Sequence, residues 1–491
     1  MKNVYVNLYL LICLFITIKI EGQTRLIRVD SLFNAIKHDE LALRIFFSEM
    51  PKGGDLHHHY SGSIYAEKYI EKARSLNAWI NPSTLEISFE LLEKPERVGW
   101  KKFKIYENQT GWYNLQEKLL KHWSTKDYDR SDGITSYDDF FNTFESFESS
   151  KDQMKDGSGL LWLKDLAINQ KVSYLETMLE IIPCGKNLSL PESFNDSLVY
   201  YAQTNDYTSL IYLFDKMRTL ILNDNNKLCV QEYLKKLGEE HQRLKLDDSL
   251  FTLRYQTYMV RIMPPVQVFT QMLLSYEAAH KDKLLVGVNM VAPEHHPVSI
   301  RDYQLHMKML QYCAQYWPGV SLSLHAGELS EGMVSPENLN FHIQEAVEIA
   351  GAKRIGHGTA LAFEKNTLAL LGKMKEKNTV LEINFRSNQF ILSSTAQNHP
   401  FEIYHKANIP LVICTDDAGV LRTDHNSEFI QLALKFPYLS YLDFKQFAFN
   451  SLKYSFLKES EIKENLIKKL EKDFIHFEEE IIKNYPPIFE K

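Results

Sequence analysis

Cysteine is scarce in this chain: five residues among 491, with no Cys-x-x-Cys pair. No spacing among them suits a tetrathiolate zinc site. There is no basic run, and the net charge is −7. A mildly acidic protein of this kind is a poor ligand for nucleic acid, where neutralising phosphate dominates affinity. His-Glu-x-x-His is absent, and so is the His-x-Glu with Pro-Cys-x-x-Cys pair of the base-editing deaminases. Beyond the N-terminus no segment is long and apolar enough to cross a bilayer. What the chain does have is 44% apolar and 12% aromatic residues, enough for a large buried core.

The N-terminus reads as a leader. Lys2 precedes an apolar stretch from Tyr9 to Ile18, followed by Lys19 and a small residue at Gly22. This pattern predicts a secretory signal peptide over 1–22, too short for a membrane span. The expected location is therefore secreted or periplasmic. Cys184, Cys229, Cys313 and Cys414 remain after its removal. Up to two disulfides are open to them, in a pairing the spacing does not assign, and packing as small apolar residues is the simpler expectation. Asn108-Gln109-Thr110, Asn187-Leu188-Ser189 and Asn195-Asp196-Ser197 are glycosylation sequons.

Residues 23–50 predict an N-terminal helical segment, closed by Met50-Pro51-Lys52-Gly53-Gly54. From there eight short β-like runs alternate with helical patterns. They are Asp55–His59, Val172–Leu179, Phe251–Tyr255, Leu284–Met290, Val320–His325, Lys353–His357, Val380–Asn384 and Leu411–Thr415. Nearly continuous apolar strands point to a parallel sheet, and eight βα units in series to an α/β fold, a (β/α)8 TIM barrel. The first connection is far longer than an ordinary loop and holds Trp79, Trp100, Trp112 and Trp123. We expect an insertion at about 65–165, either covering substrate or packed on the barrel's outside. Lys458–Lys483 reads as a solvated Glu/Lys-rich helix face.

Metal-competent residues recur at the ends of these strands, where TIM barrels place their function. Alternation along a strand puts His57 and His59 on one side and sends His58 to the other. Ser323-Leu324-His325-Ala326-Gly327-Glu328 delivers a histidine and then a carboxylate. Gly356-His357-Gly358 leaves room for a close approach, and Thr415-Asp416-Asp417 ends the eighth strand with two carboxylates. Each motif alone fits a polar turn or a core histidine. Together, His57, His59, His325 and Asp416 make an N3O zinc shell, with Glu328 and His357 left for acid–base work.

These strings, in this order, resemble the adenosine deaminase family. So does Phe46-Phe47…Met50-Pro51-Lys52-Gly53-Gly54-Asp55-Leu56-His57-His58-His59, and so does Asn450-Ser451…Ser455-Phe456-Leu457. The leader and the long first connection look most like its secreted branch, the adenosine deaminase-related growth factors. The resemblance implies one Zn2+ per chain on His57, His59, His325 and Asp416. It implies Glu328 as the acid that protonates purine N1, His357 as the group that orients and deprotonates the attacking water, and Asp417 as a partner of N7. The implied reaction is hydrolytic deamination of adenosine, and of 2′-deoxyadenosine, to inosine and ammonia.

Two departures touch the substrate pocket. Ser61 stands where the family usually has a ribose-binding Asp. Ala292 stands where a Gly backbone usually approaches the purine. No cysteine lies between residues 14 and 183, so the pair that staples the inserted domain of animal growth-factor members is missing. Deamination of another 6-aminopurine, and a catalytically weak growth-factor-like binding protein, are the alternatives. A binuclear amidohydrolase would need a bridging Lys at the end of strand four, and Val288-Asn289-Met290-Val291 offers none. The expected partner is a small purine nucleoside, with no nucleic acid and no membrane span; a homodimer stays open.

Overall fold

The computed structural model describes residues 22–90, 98–106, 111–185, 188, 190–395 and 397–484. The predicted leader, except Gly22, lies outside the described residues. So do the Asn108 sequon and Asn187 and Ser189 of the next one. No described helix is long and apolar enough to cross a membrane.

Eight parallel strands stand side by side in chain order: β1 Gly53–His59, β2 Val172–Glu180, β3 Thr252–Val260, β4 Leu285–Val291, β5 Ser321–Ala326, β6 Arg354–His357, β7 Val380–Ile383 and β8 Leu411–Ile413. They are the eight runs expected from the sequence. β3 continues to Val260, past its apolar run, because its polar residues find partners. Gln256 Nε2 donates to Leu56 O (3.3 Å), and Thr257 Oγ1 to Glu180 O (2.9 Å). The barrel closes just beyond β8. Asp416 N–H donates to His57 O (2.9 Å), and His59 N–H to Asp416 O (3.1 Å). Residues of the candidate metal shell thus carry the closing backbone bonds.

Helices cover the outside. The helix Pro265–Lys281 buries Val268, Phe269, Met272 and Leu273 against the sheet. The helix Tyr441–Lys453 starts at a capping box, in which the side chains of Ser440 and Asp443 satisfy each other's backbone N–H. The N-terminal segment is two helices, 22–36 and Glu40–Glu49, the second capped by Asp39. Buried Lys52 closes it by donating to Met50 O (2.9 Å) and Phe47 O. Phe33, Phe46 and Phe47 interlock with Phe444 and Phe477. The C-terminal helix Ser460–Asn484 is only half solvated: Leu466, Leu470, Phe474, Phe477 and Ile481 are buried. Its charged composition hid an apolar stripe at helical spacing.

The inside of the barrel is polar at its base. Arg354 donates to Glu176 Oε2 (2.6 Å) and Glu382 Oε1 (2.5 Å) and lies 3.5 Å from the Phe456 ring centroid. Phe456 N–H donates to Glu176 Oε1 (2.5 Å). The C-terminal Ser455-Phe456-Leu457 therefore forms the floor of the barrel.

The insertion after β1 crosses the opposite face. It carries a small antiparallel sheet (Trp79–Ile80, Ile87–Ser88, Lys101–Lys102) and several helices. Thr125 bonds the backbone of Val420 beyond β8. Tyr128 packs on Phe390 beyond β7, and Tyr137 on His295 beyond β4. These contacts set part of the insertion beside the loops that follow β4, β7 and β8.

Cys184 and Cys229 form a disulfide between the segment after β2 and the helix Asp224–Arg243. This corrects the expectation of simple packing for that pair, which sequence spacing alone could not bring together. Cys313 and Cys414 are buried free thiols, as expected. Alkylation in denaturant without reductant should label Cys313 and Cys414 and leave Cys184 and Cys229 unmodified, read by peptide mass mapping.

Candidate active site

His57, His59, His325 and Asp416 converge at the C-terminal mouth of the barrel. His57 Nε2 lies 3.0 Å from His325 Nε2, and His59 Nε2 lies 3.2 Å from it. Asp416 Oδ1 is 3.4 Å from His57 Nε2 and 3.1 Å from His59 Nε2. A tetrahedron with ligands about 2.0–2.1 Å from a zinc ion has edges of about 3.3 Å, and these four separations are close to that length. His357 belongs to the same cluster, its Nε2 3.9 Å from Asp416 Oδ2.

The other ring nitrogens decide which atoms face the centre. His57 Nδ1 donates to Glu382 Oε2 (2.7 Å). His325 Nδ1 donates to Asn289 Oδ1 (2.8 Å), which also accepts from Met290 N–H and so must be the oxygen. The two Nε2 lone pairs then face each other, which requires a proton or a metal ion between them. Burial disfavours charge on His57, yet Asp416 and Glu382 hold its pKa up to about 10. Burial lowers His59 and His325, so the cluster offers neutral imidazoles around one position held positive, where a divalent cation would take the place of the His57 proton. Burial would raise Asp416, but hydrogen bonds from His57 and His59 hold it well below the usual carboxylate range.

Backbone strain marks the same spot. His357 (φ 68°), Asp416 (φ 61°) and Ala292 (φ 83°) are non-glycine residues in the left-handed region. Two glycines make room for the cluster. A Cβ on Gly356 would lie 2.5 Å from the His57 ring, and one on Gly62 would lie 1.6 Å from Asp417 Oδ1.

Glu328 and Asp417 are buried carboxyls beside this cluster. Burial pushes Glu328 well above the usual range, helped by the charges of Asp416 and Glu294. Burial, then Asp416, does the same to Asp417, whose Oδ1 has no hydrogen-bond partner. Both carboxyls are thereby biased toward their protonated, hydrogen-donating form. Glu294 sets the Glu328 loop: its carboxylate accepts from Gly327 N–H (3.0 Å), Glu328 N–H (2.7 Å) and His342 Nδ1 (2.5 Å). His58 points away and bonds Thr177 Oγ1 (2.9 Å), as alternation implied. Ser61 is half-buried and lines a cavity of about 310 Å³, bounded by Glu180 and Tyr258 and by Tyr233 on the helix Asp224–Arg243. Ala292 is half-buried at the bend beyond β4.

Sequence reasoning missed Glu382, Arg354, Glu176 and Asn289 as supports. For Glu382 and Asn289 the signal was present: each is a lone polar residue within an apolar strand run, which costs energy unless it is paired.

The fold and this cluster define a (β/α)8 barrel with a metal-competent site at the C-terminal ends of its strands. The adenosine deaminase family model matches residues 250–473, somewhat under half of the chain. The match holds His325, Glu328, His357, Asp416 and Asp417; the fold brings His57 and His59 to them from outside it. An adenosine deaminase of Clostridium perfringens is 29% identical over 192 residues, 39% of this chain and 54% of that protein. The chain thus spans about half the length of this curated relative. Among solved structures, the N6-methyl-AMP deaminase from Arabidopsis thaliana aligns over 87% of this chain and 98% of its own, at 18% identity and TM-score 0.53. A zinc-bound amidohydrolase from Burkholderia ambifaria aligns over 90% and 95%, at 14% identity and TM-score 0.51. At these identities the two structures support the fold.

Gly356→Ala should displace the His57 ring and lose bound zinc while the barrel still folds. Metal analysis beside circular dichroism checks it.

Proposed function

We propose that the protein is a zinc-dependent hydrolytic deaminase of 6-aminopurine nucleosides, with adenosine and 2′-deoxyadenosine as the first substrates to test. One observation carries this reading: a four-ligand N3O cluster at the barrel mouth with two buried carboxyls beside it, both pushed toward the protonated form. Bound there, zinc would supply Lewis acidity that brings a water's pKa to about 7. Glu328 donates its proton to purine N1 and so makes C6 electrophilic. Asp417, with an unpartnered oxygen and a proton of its own, donates to N7. Water adds at C6, the amino group leaves as ammonia, and the oxygen stays on the ring. The unbroken acid and ligand set supports an enzyme over a binding-only barrel. The leader and the Cys184–Cys229 bond support a secreted protein, because disulfides persist in oxidising compartments.

Glu328→Gln keeps the shape and removes the proton. It should retain zinc while turnover falls roughly 10²–10⁴-fold, read by ultraviolet assay over a panel of 6-aminopurines. In the wild type, activity should persist at neutral pH and fall as pH rises through the raised Glu328 pKa, because the acid form is the active one. A wild-type rate in Glu328→Gln would remove Glu328 from the mechanism.

Ser61 gives a sugar hydroxyl a neutral partner where a carboxylate would give a charge-assisted one. Ser61→Asp should lower KM for adenosine by about 1–3 kcal/mol of binding, with kcat little changed. An unchanged KM would mean that other groups hold the ribose.

A further inference from the structure

A chain of hydrogen bonds ends on His357, and it starts at a donor that permits one reading only. The backbone N–H of Phe401 donates to His399 Nδ1 (3.1 Å). His399 is buried, which pushes its pKa down to about 3, so the ring is neutral. With Nδ1 accepting, its proton sits on Nε2. His399 Nε2 faces Asn388 Oδ1 at 3.2 Å and donates to it. The amide of Asn388 is thereby oriented, and its Nδ2 donates to His357 Nδ1 (2.9 Å). Asn384 Nδ2 lies 3.4 Å from the same ring atom and 3.5 Å from Nε2 and so favours neither, and Glu328 Oε1 stands farther from Nδ1, at 3.6 Å, than the Asn388 amide does. Asn388, His399 and His357 are all buried.

His357 Nδ1 is therefore an acceptor, and a neutral His357 carries its proton on Nε2. That nitrogen is on the side of the ligand cluster, 3.9 Å from Asp416 Oδ2. We propose that Asn388 and His399 are positioning residues that lock His357 in the Nε2–H tautomer, so that His357 gives a hydrogen bond to the attacking oxygen and does not take its proton. This rests on the deaminase reading above and revises the role that the family resemblance implies for His357. Zinc, if held by the four ligands, would supply the acidity that ionises a water near neutral pH, and such an oxygen would need a donor from His357, not a base. A donor fixed in place before reaction costs no reorganisation when charge develops.

Ring 15N–1H correlation spectra of 15N-histidine protein test the lock directly. They are recorded on metal-free and zinc-loaded wild type, with His357 assigned through His357→Gln. A neutral ring protonated on Nε2 is expected; a ring protonated on Nδ1 overturns the proposal. Asn388→Asp offers only acceptors, so His357 should move its proton to Nδ1. Its kcat should then fall about 10²–10³-fold, with KM and zinc content within about twofold of wild type. Asn388→Asp with an unmoved tautomer and wild-type kcat overturns the proposal. His399→Gln keeps a donor toward Asn388 Oδ1 and should restore most of the kcat that His399→Leu loses; equal loss in both overturns the role of His399. If Asn388→Asp does not fold, the wild-type spectrum and the His399 pair decide. A zinc-loaded wild type that deaminates no 6-aminopurine, yet shows the Nε2–H ring, overturns the deaminase reading and leaves the lock standing.

Discussion

Glu382 joins the base of the barrel to its mouth. One carboxylate oxygen takes the Arg354 guanidinium from below, and the other takes the His57 ring from above. Both partners and the carboxylate are buried. Breaking such a pair by removing one member costs roughly 3–5 kcal/mol, because the other charge is left without compensation. The orientation of His57 thus depends on Arg354, and through Arg354 on Glu176 and the Phe456 floor. A candidate metal ligand here is the top of a column that runs from the floor of the barrel to its mouth.

The mouth is built with equal constraint. Closing the barrel through Asp416 fixes the spacing of His57 and His59 by backbone bonds. The positive φ values of His357 and Asp416 turn their side chains where an ordinary strand end would not, at a cost that the surrounding packing must bear. Above them the insertion ties together the loops after β4, β7 and β8. Strand ends hold the candidate ligands, and one long connection packs beside the loops around them.

Much of this was legible in the sequence, for definable reasons. The eight strands announced themselves because parallel strands buried on both faces are continuous apolar runs. His57, His59, His325 and Asp416 stood out because each ends such a run. Glu382 and Asn289 did not, because an inward polar residue within a strand looks like an interruption until its partners are known. The Cys184–Cys229 pair was illegible for another reason. Its contact depends on how three helices between β2 and β3 fold back, which no local pattern encodes. The C-terminal helix misled through composition, its charges masking a stripe of Leu466, Leu470, Phe474 and Phe477.

The order of synthesis follows from where the parts lie in the chain. The first ligands are at positions 57 and 59 and the last is at 416, and the floor that steadies Arg354 arrives only with Phe456. A growing chain therefore holds two of its four ligands through most of translation and cannot complete the cage until the eighth strand has emerged. A chain truncated before Phe456 would keep every ligand and every strand, yet would lack the keystone that holds the first histidine in line.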